Sequence, residues 1–405
     1  MKVSFVTLPT TIEPLGIMYL SAALKSAGHE VSIGLDGDIL AASIMPGSEE
    51  ILDILKREKK GRKIIVGGPD PTYNPEKYKQ FWIDGICRGD GEKAIVDFVE
   101  GKWTGTVRGE MTMKWPRPDR SIVYDNYPEH WNSPIRHFML SRGCPYNCAY
   151  CFNHAYRKLY EGQNTLRNPD PEGAVGEIQD TLKEWGGKFI YFQDDTFNLN
   201  QSFLTAFLPL YKEKIGLPFH CHLRAELVTE VQIKALKEAG CYSVRFAIEI
   251  AGDKKQTLLN RGKITDEDCV KAAEILHKYD IKLMLQNILC LPDTTYQDDL
   301  ATLELNKRCK PTYAWASIYQ PYKGTVLGDY CYDSGFVNGE PGRFFADSPL
   351  DIPDKKKRER LQKRFSLLAT ESDPNGWIYE HHRQETEKLI YGGLSHQSGG
   401  EQCQR

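Results

Sequence analysis

Apolar positions in the first hundred residues come in short solid runs separated by stretches of helical period. Residues 3–8 read as a buried strand, 15–27 as an amphipathic helix stopped by Gly28, and 30–35 as a second strand. A helix follows over 49–58, then a strand over 63–66 that opens into Gly67-Gly68-Pro69, then a helix over 91–100. Strands alternating with helices build a parallel sheet, which takes ligands at the carboxyl ends of its strands. Residues 101–135 hold Trp103, Trp115, Trp131 and several prolines without a period, the pattern of an extended surface connector.

From residue 136 the rhythm resumes at a longer period. Strands are predicted over 137–140, 189–193, 219–223, 243–249, 282–289 and 313–319, and helices over 171–185, 202–215, 230–239, 266–279 and 296–309. Six strands with their helices predict an α/β partial (β/α)6 barrel over 136–330, whose sites sit at the carboxyl ends of the strands. Residues 331–405 read as a helical segment, with helices over 354–372 and 376–391 and a flexible polar tail from 395. The run Lys355-Lys356-Lys357-Arg358-Glu359-Arg360 reads as a solvated helix face.

Charge changes this picture little. The 405 residues carry 52 basic and 55 acidic side chains, so no basic field invites nucleic acid. No apolar run reaches the length of a membrane span, and eleven cysteines without a secretory leader suit a reducing, cytoplasmic setting.

The chemistry begins at Ser141-Arg142-Gly143-Cys144-Pro145-Tyr146-Asn147-Cys148-Ala149-Tyr150-Cys151. Three thiolates on one short loop, Cys144, Cys148 and Cys151, suit three irons of a 4Fe–4S cluster and leave the fourth iron open. A zinc knot with His154 as fourth ligand is the competing reading. After the second barrel strand, Asp194-Asp195 place paired carboxylates at the mouth, where Asp195 either orients a ligand or caps a turn. The third strand leads to Arg224 and the fourth to Glu249, a ligand-binding couple or a structural ion pair.

The spacing Cys-x3-Cys-x2-Cys with Tyr150 before the last cysteine resembles the radical S-adenosylmethionine (SAM) superfamily. That resemblance implies that SAM chelates the open iron and is cleaved to a 5′-deoxyadenosyl radical, with Tyr150, Asp195, Arg224 and Glu249 as SAM-binding candidates. The segments 258–263, Leu291-Pro292-Asp293 and Gln320-Pro321-Tyr322 resemble the exits of the fourth, fifth and sixth strands in that family. Two departures stand out: Cys290 where relatives carry glycine, and Ile250 where many carry serine.

Upstream, Pro14-Leu15-Gly16, Gly67-Gly68-Pro69 and Gly89-Asp90-Gly91-Glu92 together resemble the cobalamin-binding subfamily. The resemblance implies a compact Rossmann-like cobalamin-binding domain over 1–100, with Gly67, Gly68, Pro69, Gly89, Gly91 and Glu92 in the cofactor site. Glycines at strand ends let backbone approach a bulky ligand, and the helix near Gly91 offers N–H groups to a phosphate. Only one helix fits between Asp38 and Lys63, so the domain is expected to lack one βα unit of its relatives. Loop 9–13 and Tyr73 are candidates to face the cobalt, with a plain surface loop the alternative.

The function this implies is cobalamin-dependent methyl transfer from SAM, through methylcobalamin, to an unactivated carbon of a small molecule, peptide or protein. A flavodoxin or ferredoxin would supply electrons. The alternative is a radical SAM cyclase or oxidoreductase that uses or has lost cobalamin. A methylthiotransferase would need three further cysteines in the front domain, which has Cys87 alone.

Overall fold

The computed structural model describes residues 1–370 apart from Pro9, Thr11, Glu49 and residues 343–345. Two parallel sheets of six strands each organise the described residues. The front sheet holds β1 (Lys2–Phe5), β2 (Glu30–Ile33), β3 (Ile39–Ser43), β4 (Lys63–Gly67), β5 (Gly85–Arg88) and β6 (Gly105–Arg108), in the order β2-β1-β3-β4-β5-β6.

This sheet corrects half of the expected loss of a βα unit: the strand is present as β3, and only its helix is missing. β2 and β3 flank β1 on either side and run parallel to it, yet only residues 34–38 join them. Parallel strands are normally joined by a dozen or more residues, usually a helix. Here the chain passes tightly beside β1 at Gly37, where a Cβ would lie 2.6 Å from the Ser4 amide nitrogen. The Asp38 carboxylate then accepts from the Lys2 N–H at 2.9 Å. A crossover without a helix leaves no periodic signal, which is why residues 39–43 escape a pattern-based reading.

The supposed connector is also part of the folded unit. It supplies β6, and Ile122, Val123 and Tyr124 join the core beneath β1. Buried Arg120 donates to Glu13 at 2.8 Å and to the His137 carbonyl at 2.8 Å, tying front sheet to barrel. Glu13 is thus a buried anchor rather than a surface-loop residue; its neighbours Pro9 and Thr11 lie outside the described residues.

The second sheet holds β7 (Ile135–Phe138), β8 (Phe189–Phe192), β9 (Phe219–His222), β10 (Cys241–Glu249), β11 (Lys282–Leu289) and β12 (Tyr313–Ile318) in simple sequence order. β7 and β12 are the two edges, so the barrel is open, as the six-strand pattern predicts. Its helices start where the sequence says they should. Asp170 caps Pro171–Trp185, and Thr265 with Asp268 and Thr295 with Asp298 form capping boxes for Asp266–Lys278 and Tyr296–Cys309. Phe192, Phe207, Val244 and Phe246 pack between strands and helices as the main core.

The helix Lys355–Ala369 packs Leu361 and Phe365 against Ala314 and Ala316 of β12, covering that edge. Its basic run is not wholly solvated. Arg358 is fully buried and grips Asp299 through two nitrogens, at 2.6 and 3.0 Å. The helix expected over 376–391 and the tail lie outside the described residues.

Candidate active site

Residues 139–151 leave the end of β7 and place the three cysteines at the barrel mouth. The loop is clamped at several points. The Ala149 N–H donates to the Leu259 carbonyl and the Leu327 N–H to the Ala149 carbonyl, both at 2.8 Å. The Asn260 side-chain amide donates to the Asn147 carbonyl at 3.0 Å. The segment 258–263, which resembles the fourth-strand exit, therefore holds the loop itself, together with the helix that follows the sixth-strand exit. The loop brings the Cys144, Cys148 and Cys151 thiols close enough to interact electrostatically with one another. Three such thiols suit a cubane, which takes one thiolate per iron corner. Burial pushes the Cys151 thiol up to about 12 and raises Cys144 as well, so binding iron means releasing protons.

Four side chains flank these thiols. Arg224 lies over the Tyr146 ring at 3.5 Å, with Nη1 3.9 Å from the Cys148 sulfur. It also donates to Glu226 at 2.6 Å and to the Arg261 carbonyl at 2.8 Å. The Tyr150 hydroxyl donates to Glu249 at 2.8 Å, and burial raises the Glu249 carboxyl against the pull of Arg261. Glu249 ends β10 at a bulge with φ 63°, a left-handed backbone rare for a side chain of its size. Asp195 keeps its surface open to solvent while protein surrounds it, as in a cleft wall. Burial raises its carboxyl, opposed by a hydrogen bond from Asn153. Its partner Asp194 turns inward, accepting from the Leu140 N–H at 3.0 Å and the Ser141 hydroxyl at 2.5 Å.

The two departures from the family pattern have different outcomes. Cys290 is fully buried with φ 61°, a conformation glycine adopts without strain, which accounts for glycine in relatives. Ile250 is buried in the core with Ala149 and Leu259, so it packs the cluster loop from behind.

A second cavity of about 200 Å³ opens at the carboxyl ends of the front strands. Gly67, Gly68, Gly89, Gly91 and Glu92 all line it, whereas Pro69 lies outside its wall at the first turn of the helix Pro69–Tyr73. Met139 and Arg142, from the segment entering the cysteine loop, complete the wall. Sequence reading missed both, although Arg142 stands two residues before Cys144. Arg142 pairs with Glu92 at 2.6 Å and is held between the rings of Tyr19, at 4.8 Å, and Trp115, at 4.7 Å. Asp90 accepts from Arg167 at 2.7 Å and from the Tyr156 hydroxyl. The Gly89-Asp90-Gly91-Glu92 turn is therefore also a buried docking surface for the barrel. Tyr73 stacks on Phe152, beside Cys151, at 4.5 Å, and Phe152 stacks on Tyr322 at 5.6 Å.

Comparison with known proteins agrees with this geometry. Residues 138–305 match the model of the radical SAM superfamily. A Pyrococcus horikoshii protein named as an uncharacterized methyltransferase is 28% identical over 373 residues, covering 79% of each chain. The anaerobic magnesium-protoporphyrin IX monomethyl ester cyclase of Rubrivivax gelatinosus is 22% identical, covering 87% of this chain and 72% of the cyclase. Among solved structures, the radical SAM methyltransferase TsrM of Kitasatospora setae, with cobalamin and a 4Fe–4S cluster bound, shares the fold at TM-score 0.67. It is 15% identical, covering 91% of this chain and 84% of TsrM. The cobalamin-dependent SAM radical enzyme OxsB aligns at TM-score 0.60 and 16% identity, covering 99% of this chain and 63% of OxsB. Cysteine loop, open barrel and family match agree: residues 138–305 form a radical SAM domain, which implies a 4Fe–4S cluster and SAM as cofactors.

Proposed function

We propose that the protein is a cobalamin-dependent radical SAM methyltransferase acting on an unactivated carbon. The observation that carries this reading is the shared wall of the front cavity. Glycines from two strand ends, those of β4 and β5, line it on one side, and Met139 and Arg142, leading into Cys144, line it on the other. A cofactor seated there would face the cluster loop. The structures of TsrM and OxsB, which contain cobalamin, support the same reading.

When bound, the cluster and SAM supply a hydrogen-abstracting radical and cobalamin a transferable methyl group. The chain's own residues position and seal. Cys144, Cys148 and Cys151 would hold the cluster. Arg224, with its N–H aimed at the Cys148 sulfur, is placed to tune it, since hydrogen bonds to ligating sulfurs set cluster potential. Asp195, open to the cleft, is placed to accept from the SAM ammonium or ribose. Tyr150 and Glu249 form the opposite wall as a bonded couple. Gly67, Gly68, Gly89 and Gly91 let backbone approach the second cofactor.

Anaerobic reconstitution with cobalamin tests the reading. Corrin absorption should co-purify with the wild type, and one S-adenosylhomocysteine should form per 5′-deoxyadenosine. Cys148→Ala should abolish deoxyadenosine. A cyclase or oxidoreductase reading is favoured by the cyclase relative. It requires deoxyadenosine without matching S-adenosylhomocysteine.

A further inference from the structure

The burial pattern along the last three barrel strands is unusual. On β10, β11 and β12, residues facing the helices are fully buried, while the alternating set is only half-buried. That second set includes Arg245, Met284, Gln286 and Trp315. A closed barrel fills its interior with side chains. Here solvent reaches the inward face, so the lumen is hollow.

One charge stands in that hollow without a counter-charge. Among the described residues Arg245 forms no ion pair, and its side-chain hydrogen bonds go to the neutral His222 ring. Its Nη2 donates to His222 at 2.5 Å, and its Nε is buried with no partner at all. His222 in turn lies 3.2 Å from the Tyr191 hydroxyl. Burial and the neighbouring Arg245 hold His222 well below the usual histidine range, so the ring is a neutral acceptor and does not share the charge. The nearest acid is Glu249, already engaged by Tyr150. The Arg245 Nε is shut off from water, while the side chain as a whole stands part-exposed in the hollow with no acid bonded to it, so the guanidinium is open to an incoming anion.

We propose that Arg245 receives the carboxylate of the substrate, a small molecule with an apolar body between that carboxylate and the reacting carbon. The inference rests on the radical SAM methyltransferase reading for the reaction, but not for the binding. A guanidinium fork matches a carboxylate in two parallel hydrogen bonds. A phosphate dianion would ask for further donors, and the other cation in this set of β10–β12 among the described residues, Lys282, sits at the start of its strand and is already paired with Asp280 at 3.1 Å. Trp315 and Met284 supply apolar wall, and Gln286 a polar contact between them. Depth fixes the reach. Arg245 pairs with Met284 and Glu249 with Asn287, so three residues of β11, about 10 Å, separate the cation from the mouth. The reacting carbon therefore lies several bonds from the carboxylate.

Isothermal titration of the anaerobically reconstituted enzyme tests this with 4-phenylbutyrate, its uncharged amide and phenyl phosphate. Wild type should bind the acid saturably and the amide at least about tenfold more weakly, the loss of one charge-assisted contact. Arg245→Gln should weaken the acid by at least about tenfold and leave the amide unchanged, with cluster absorbance at the wild-type level as evidence of folding. Equal affinity for acid and amide overturns the proposal without any variant needing to fold. So does tighter binding of phenyl phosphate, wild-type acid affinity in Arg245→Gln, or no saturable binding of the acid. Absence of deoxyadenosine from wild type would instead overturn the reaction reading, leaving the titration result standing.

Discussion

The Tyr150 hydroxyl and the Glu249 carboxylate, 2.8 Å apart, join the cysteine loop to the end of β10 across the barrel mouth. Tyr150 stands directly before Cys151, and Glu249 holds a left-handed backbone at the bulge that ends its strand. Strained non-glycine backbone persists where surrounding structure over-determines it, commonly at functional sites. The bond therefore couples thiolate placement to a carboxylate aimed at the mouth.

Tyr150→Phe removes the donor and leaves the ring. Glu249 is then a buried carboxyl short of a partner, at a cost of about 1–3 kcal/mol to the fold. The cluster should still assemble, because all three thiols remain. SAM affinity, measured by equilibrium dialysis on the reconstituted enzyme, should fall by about tenfold. Unchanged SAM affinity would show that the couple only braces the loop.

Asp194 gives a pH prediction. Burial raises its carboxyl to about 7, against the opposing hydrogen bonds from Ser141 and Leu140. The folded chain thus keeps a proton that an unfolded aspartate releases near about 3.9. Its stabilising contribution is full below that unfolded value and is lost as pH rises toward about 7. Asp194→Asn cannot titrate. Urea denaturation across this range should show wild type losing stability relative to the variant by a few kcal/mol, since each pH unit crossed in the window costs about 1.4 kcal/mol. A flat difference would contradict this assignment.

The Arg142–Glu92 pair predicts coupling between the two sheets. Both side chains are nearly buried, and the guanidinium is enclosed by Tyr19 and Trp115. Removing one partner strands the other, so Glu92→Gln and Arg142→Met should each cost about 3–5 kcal/mol. The double variant should cost clearly less than the sum, a coupling of about 1–3 kcal/mol in a double-mutant cycle. Corrin retention should fall with either single change, because both residues line the front cavity. Additive energies would mean the contact is incidental.

Much of the barrel is legible in the sequence because its strands are apolar runs bounded by capped helices, as Thr265 and Thr295 illustrate. The cysteine loop is legible because ligation fixes spacing. β3 is not, since Gly37 replaces a helical crossover with a tight pass beside β1. The docking role of Asp90 and Glu92 is hidden for another reason. Their partners Arg167, Tyr156 and Arg142 lie about fifty or more residues away, and only tertiary structure brings them together. Arg358 shows the same limit, since a basic run gives no sign of which member turns inward.

That inward turn supports the last prediction. Arg358 is fully buried, holds Asp299 by two nitrogens, and also donates to the Thr294 carbonyl at 2.9 Å. It thereby pins Lys355–Ala369 to the helix behind the barrel's open edge. Arg358→Met should leave Asp299 as a buried, uncompensated carboxylate and lower stability by about 3–5 kcal/mol. Asp299→Leu alone should cost a similar amount, whereas the double variant should recover part of the loss because no charge is left stranded. Denaturation of all four proteins measures the cycle. Single variants within about 1 kcal/mol of wild type would mean the pair does no more than an exposed one. The basic run would then act through its solvated members, and Leu361 and Phe365 alone would hold the helix on β12.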